Sequence, residues 1–260
     1  MDEAEHVPKM DYWFDSGELR LSAYLAEPTV SPVPVPGLVL CHGFPMRGRE
    51  APASGQSFPE LAGRIANEMG WLVLTINFRG CGQSEGDFSL GGWLDDISAA
   101  VEHVQQLGVS GVWLAGYGSG GSLCICEAAR NPEIRGVAAM AAPADYDDWY
   151  RNPRRLLLHA KQVGVVKHDK FPPSFDKWSA EFRDISPVKA AAEMAPRPLL
   201  LLHGEADDLV PSMDARVIAD AHGSAELRII GGGGHEMRHD PRAIAVLLGW
   251  LARQHNALSL

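Results

Sequence analysis

The chain has no apolar run approaching the roughly 18 residues that a membrane span requires, and its first ten residues, MDEAEHVPKM, are acidic where a secretory leader would be cationic. No apolar h-region follows them, so no signal peptide and no membrane association are expected. Cysteine is scarce: four residues, at 41, 81, 124 and 126, without regular spacing. A disulfide framework is therefore not expected, and reduced thiols in a cytoplasmic protein are. Cys124 and Cys126 stand two apart on an expected helix, where their side chains diverge, which argues against a metal clip. No basic run exists either. With 23 Lys and Arg against 33 Asp and Glu, the net charge of −10 repels polyanions and excludes nucleic acid as a partner. The cations at 151–155 and 161–170 are scattered and read as a solvated helical surface. Internal repeats and low-complexity tracts are absent.

What the sequence does contain is a rhythm. Apolar residues make up 46% of 260, enough for one large core, and they fall in short continuous runs. GLVLC (37–41), WLVLTI (71–76), VWLAG (112–116), GVAAMAA (136–142), PLLLLH (198–203) and ELRII (226–230) read as strands buried on both faces. Residues 18–25 alternate like a half-buried strand, and 12–14 form its partner across a turn at Asp15-Ser16-Gly17. The proline run PTVSPVPVP (28–36) is a linker that cannot pair in a sheet. Helical stripes lie between: Phe58, Leu61, Ile65 and Met69; Leu94, Ile97, Val101, Val104 and Leu107; Val217 and Ala221; Ile244, Leu247, Leu248 and Leu251. The expectation is an α/β fold, a mostly parallel eight-stranded sheet with helices on both faces.

One segment breaks the alternation. Residues 144–195 lack a buried-strand run and hold Tyr146, Trp149, Tyr150, Phe171, Phe175, Trp178 and Phe182. That is too long for a plain loop. It is read as a small helical cap inserted after the sixth strand, with 1–143 and 196–260 forming the core. Its aromatics suit either an apolar wall over a cleft or simple packing of cap on core.

In parallel sheets ligands bind beyond the carboxyl ends of the strands. The segments there are HGFPMRG (42–48), FRGCGQSEGD (78–87), GYGSGG (116–121), HGEADDLVP (203–211) and GGGGHEMRHDP (231–241). Together, in this order, they resemble the α/β-hydrolase superfamily, particularly its small-capped esterase and peptidase-like members, over roughly residues 10–255. The resemblance implies Asp207 as the acid, with Asp208 as its neighbouring competitor, and His235 as the base. It also implies an oxyanion hole from the backbone N–H groups of Phe44 and Ser119. His42 and His203 then brace strand ends, and His103, His159 and His222 are expected to be exposed.

The departure from the family lies in the elbow, which has the form small-x-nucleophile-x-small. Gly116 and Gly120 take the small positions, and Gly118 fills the slot of the nucleophilic serine. Shifting the slot to Ser119 would put Tyr117 where a small residue is needed. Glycine adopts strained elbow angles freely but supplies no reactive atom. Three readings follow. The first is a hydrolase of a small ester or related acyl substrate, without cofactor, in which Ser119 enters the site or His235 activates water. The second is a catalytically silent pocket for a small acyl ligand or a protein partner. Cys41 and Cys81, near strand ends, suit packing better than nucleophilic attack. The third rests on His235–His239, a literal H-E-x-x-H, which needs a helix to face both imidazoles toward zinc. Four glycines before it and Asp240-Pro241 after it leave little helix, so no metal is expected.

Overall fold

The computed structural model describes residues 10–29, 34–45 and 58–257. The N-terminal nonapeptide, the centre of the proline run and Met46, Arg47 and Gly48 of the HGF segment lie outside the described residues. Eight strands form one sheet: β1 (Tyr12–Ser16), β2 (Leu19–Ala26), β3 (Gly37–Cys41), β4 (Leu72–Ile76), β5 (Val112–Tyr117), β6 (Ile134–Met140), β7 (Leu199–Gly204) and β8 (Glu226–Ile230). Their spatial order is β1-β2-β4-β3-β5-β6-β7-β8. The β1–β2 and β2–β4 pairings are antiparallel, and β3 to β8 run parallel.

Side chains alternate across the sheet. Val39 and Cys41, with Leu72, Leu74 and Ile76, face one core; Leu38, Leu40 and Val73 face the other. The first core is covered by α2 (Leu90–Gln106), α3 (Ser119–Arg130), α7 (Pro187–Met194) and α8 (Ser212–His222), the second by α1 (Phe58–Met69) and α9 (Pro241–Ala257). Strands buried on both faces explain the continuous apolar runs. Helix faces were harder to read. Val217 and Leu107 are both 41% exposed, because α8 turns Ala215 and Ile218 inward instead and Leu107 lies one residue past the end of α2.

Between β6 and β7 stand α4 (Asp147–Arg151), α5 (Pro153–Gln162), α6 (Phe175–Asp184) and α7. The first three form the helical cover. The last packs on α3 and α8 and so joins the layer flanking the sheet. Trp178 and Phe182 are buried within the cover, whereas Tyr146 and Trp149 line a cleft beneath it. Among the described residues no helix is long and apolar enough to cross a membrane.

The strand order reverses at β3, whose neighbours are β4 on one side and β5 on the other. Loops leaving such a point diverge and open a crevice. Cys41 pairs with Gly116, Tyr117 with Met140, Met140 with Leu202, and Gly204 with Ile230. These registers bring the segments after β3, β5, β7 and β8 to one end of the sheet.

His42 anchors the first of these segments. Buried at the end of β3, it sits 2.7 Å from the Gly43 carbonyl through Nδ1 and accepts from the Phe78 N–H through Nε2 at 3.3 Å. Burial lowers its pKa to about 4 despite the Gly43 hydrogen bond. The unfolded chain, with an ordinary histidine near 6.5, therefore takes up a proton before the folded one does. Stability present above about pH 6.5 is lost as the pH falls toward 4. His222 and His103, also lowered chiefly by burial, act in the same direction. Urea midpoints are expected to fall between pH 7 and pH 5, with His42 contributing about 1–2 kcal/mol of the loss. A His42→Asn variant, though less stable overall, should show a shallower slope over that range.

Candidate active site

The turn from β5 into α3 carries its own steric logic. A Cβ on Gly116 would lie 2.6 Å from the Gly120 carbonyl group, and one on Gly120 would overlap the His42 carbonyl oxygen. A Cβ on Gly43 would press on the Tyr117 carbonyl oxygen at 2.9 Å. The β3 segment and the elbow thus touch backbone to backbone, and only glycine fits at these contacts. Gly120→Ala is expected to lower stability by about 2–3 kcal/mol even though alanine is the better helix former. Thermal unfolding should register this as a drop of roughly 5–10 °C.

Gly118, between them, differs. Its backbone is at φ 53°, ψ −130°, a region that side chains other than glycine enter only with strain. Yet there is room for a side chain: a Cβ here would meet only the Gly43 Cα at 3.7 Å and His235 Nε2 at 3.9 Å. The elbow holds a direction of approach toward an imidazole, with no atom placed along it.

The imidazole itself is firmly held. His235 Nδ1 is 2.9 Å from Asp207 Oδ2 and 3.1 Å from Oδ1. The Asp207 carboxylate is fully buried and also accepts the N–H groups of Leu209 and Val210 at 3.0 and 2.9 Å. His203 Nε2 stands 3.2 Å away and 2.9 Å from the Val210 carbonyl. Burial alone would raise the carboxyl pKa, but the hydrogen bonds from His203, His235 and the two amides outweigh it and hold it below the usual range. Asp207 is thus held as the anion. Asp208 is exposed and takes no part. With Nδ1–H fixed on the carboxylate, the lone pair of His235 Nε2 is turned toward Gly118.

Ser119 lines the cleft with its hydroxyl oxygen held by the β3 segment and not by His235. Its Oγ accepts the Phe44 N–H at 2.9 Å, and no hydrogen bond joins it to His235 among the described residues. The Phe44 ring packs on Phe88, Trp149 and His159 at centroid distances of 4.8, 5.2 and 5.8 Å, so the cover clamps the β3 segment. The cleft has a volume of about 830 Å³, ample for a drug-sized ligand. Phe44, Gly118, Ser119, Trp149, His159 and His235 all face it.

Three histidines expected at the surface are elsewhere. His159 is half-buried and lines the cleft. His222 is buried, with Nε2 3.0 Å from the Arg197 carbonyl. His103 is half-buried, with Nε2 2.8 Å from the Tyr12 hydroxyl. Each bond joins positions distant in sequence, which no local pattern announces. Arg155, assigned to the solvated surface, also borders the cleft. Cys41 and Cys81 are wholly buried, and burial pushes the Cys81 thiol far up, away from the thiolate that attack requires. The H-E-x-x-H stretch holds only a 3₁₀ turn, Met237–His239. His235 is committed to Asp207, and His239 stands half-exposed 3.7 Å from Glu236. Among the described residues no group of three potential ligands is placed to hold a metal ion.

The sequence profile of the family described as alpha/beta hydrolase fold matches residues 36–163. Solved structures agree over nearly the whole chain. Est1E from Butyrivibrio proteoclasticus, with ferulic acid bound, shares 20% identity at a TM-score of 0.70, over 95% of this chain and 99% of that one. GrgF, an alpha/beta hydrolase from Penicillium sp. sh18, shares 19% at a TM-score of 0.73, over 96% and 99%. The mouse alpha/beta hydrolase domain-containing protein 10 shares 17% at a TM-score of 0.66, over 95% and 98%.

Proposed function

Since the chain belongs to the α/β-hydrolase superfamily, we propose that it hydrolyses small esters or related acyl compounds, with His235 activating water in the space beside Gly118. The observation that carries this reading is the oriented acid–base pair. His235 Nδ1 rests on a buried carboxylate, and Nε2 looks at the one elbow position where a side chain would fit and none exists. A pocket that only binds has no need of an imidazole held in one tautomer. In the proposed reaction a water molecule gives a proton to Nε2 while its oxygen attacks the acyl carbon. The charge that develops on the acyl oxygen is met at the corner formed by Phe44 and Ser119. When the tetrahedral intermediate collapses, the leaving group takes the proton back from His235.

A specific observation favours a second reading. The Phe44 N–H already has a partner in the Ser119 hydroxyl, as it would in a pocket that had lost its chemistry and only holds a small acyl ligand or a protein partner. Turnover separates the two. Purified protein is tested on a series of short-chain p-nitrophenyl esters beside its His235→Ala variant. Hydrolysis above background that disappears in the variant supports the first reading. No difference between the two proteins leaves binding as the function.

A further inference from the structure

The corner between the β3 segment and the elbow holds one polar group that the proposed reaction has not used. Ser119 is only 5% exposed. A hydroxyl has one proton to give and two lone pairs. One lone pair takes the Phe44 N–H at 2.9 Å, yet the proton finds no acceptor among the described residues. Ser119 is also held from behind, where its carbonyl accepts the Tyr146 hydroxyl at 3.4 Å. Its own N–H opens α3, in the first turn where backbone donors lack partners inside the helix and the helix dipole favours negative charge. A single residue therefore brings two unspent donors to the cleft, beside Gly118 and His235.

We infer that the Ser119 hydroxyl is itself an oxyanion donor: it passes the pull of the Phe44 N–H on to the substrate's acyl oxygen, which it grips together with the Ser119 N–H. Accepting a hydrogen bond polarises a hydroxyl and strengthens the bond it donates. The Phe44 N–H thus acts through Ser119 and does not touch the substrate. This makes Ser119 a donor and not a nucleophile, in keeping with an Oγ bonded to Phe44 and not to His235. It also recasts the contact that favoured a silent pocket, since the hydroxyl completes the hole in place of filling it. The inference rests on the hydrolase reading for its kinetic consequence. The donor pair itself acts on any ligand presenting a carboxylate or carbonyl oxygen.

Two measurements on Ser119→Ala test it, a change that removes one atom and leaves the helix intact. In a Gly118→Ser background, adding Ser119→Ala should lower kcat for p-nitrophenyl butyrate about 10²-fold with little change in KM. A donor engaged only in the transition state shows this split, and a loss of packing does not. In the otherwise unaltered protein, Ser119→Ala should weaken calorimetric binding of sodium butyrate by roughly tenfold or more. The second readout needs no turnover. If neither the unaltered protein nor Gly118→Ser hydrolyses the ester but butyrate binding still depends on Ser119, the donor assignment stands and the hydrolase reading falls. The assignment is overturned if butyrate does not bind the parent or binds the alanine variant equally well. It is also overturned if kcat rises on losing the hydroxyl, which would make Ser119 an obstruction, or if a fluorophosphonate labels Ser119 itself.

Discussion

Gly118→Ser should turn this protein into a conventional serine esterase, raising turnover of p-nitrophenyl acetate by at least about 10³-fold over the parent. In a serine triad, removing the serine alone costs about 10⁶ in kcat, leaving what the hole and binding supply. Restoring it should recover a large part, because the other parts are already in position. A Cβ at Gly118 stands 3.9 Å from His235 Nε2 and makes only an ordinary contact with the Gly43 Cα at 3.7 Å among the described residues. An oxygen on that carbon comes within the roughly 2.6–3.2 Å that proton transfer needs. His235 is fixed in the accepting tautomer by Asp207, and the first turn of α3 offers its N–H at the elbow. The cost falls on the backbone. Serine must hold φ near +53°, which should lower stability by roughly 1–3 kcal/mol, measurable as an earlier urea midpoint. A fluorophosphonate should label residue 118 in the variant and leave the parent unlabelled. A folded variant that neither reacts with the probe nor hydrolyses esters would mean that the restored hydroxyl is not placed to use His235 and the first turn of α3.

The same elbow shows what a sequence can and cannot convey. The resemblance to the family's elbow gives Gly116, Gly118 and Gly120 their places, and the backbone contacts at Gly116 and Gly120 show why bulk clashes on either side of the turn. The strands are legible because a strand buried on both faces leaves a continuous apolar run, and the pairing of Asp207 with His235 is implied by the resemblance of their segments to the α/β-hydrolase superfamily. The hydroxyl of Ser119 was not legible. Whether a serine faces the base or the neighbouring loop depends on which backbone lies opposite the elbow, and the Cys41–Gly116 register brings the segment after β3 alongside it. His159 was missed for a similar reason. Its helix looks like a solvated surface until Phe44, from a segment more than a hundred residues earlier, comes to lie against it. On α8, a helix of modest apolar content, Val217 looked like a core residue while Ala215 and Ile218 filled that role. When both faces carry apolar residues, the neighbouring elements decide which one is covered, and α7 and β7 both pack against α8.

His235→Ala should abolish whatever hydrolysis the unaltered protein performs, a loss on the order of 10²–10⁴-fold for removal of a positioned general base. Asp207→Asn should be nearly as damaging for a different reason. The amide could turn a donor toward Nδ1, reverse the tautomer and point an N–H at the water that Nε2 is meant to deprotonate. The same NH₂ group, in the Oδ2 position, would also face His203 Nε2, while the amide oxygen keeps the Leu209 and Val210 N–H groups, so its folding must be checked by circular dichroism. His239→Ala serves as the control. That imidazole is half-exposed and pairs with Glu236, and its loss should leave the rate unchanged. The pH profile adds a further test. Hydrolysis needs the unprotonated imidazole, so the rate should fall on acidification, and because Asp207 is held ionised well below the usual carboxylate range, the acid limb should show the uptake of one proton and not two. Equal losses in His235→Ala and His239→Ala would point instead to the paired histidines of the H-E-x-x-H stretch. An acid limb of two protons would mean that Asp207 titrates with its partner and that the carboxylate does not hold the imidazole as its hydrogen bonds require.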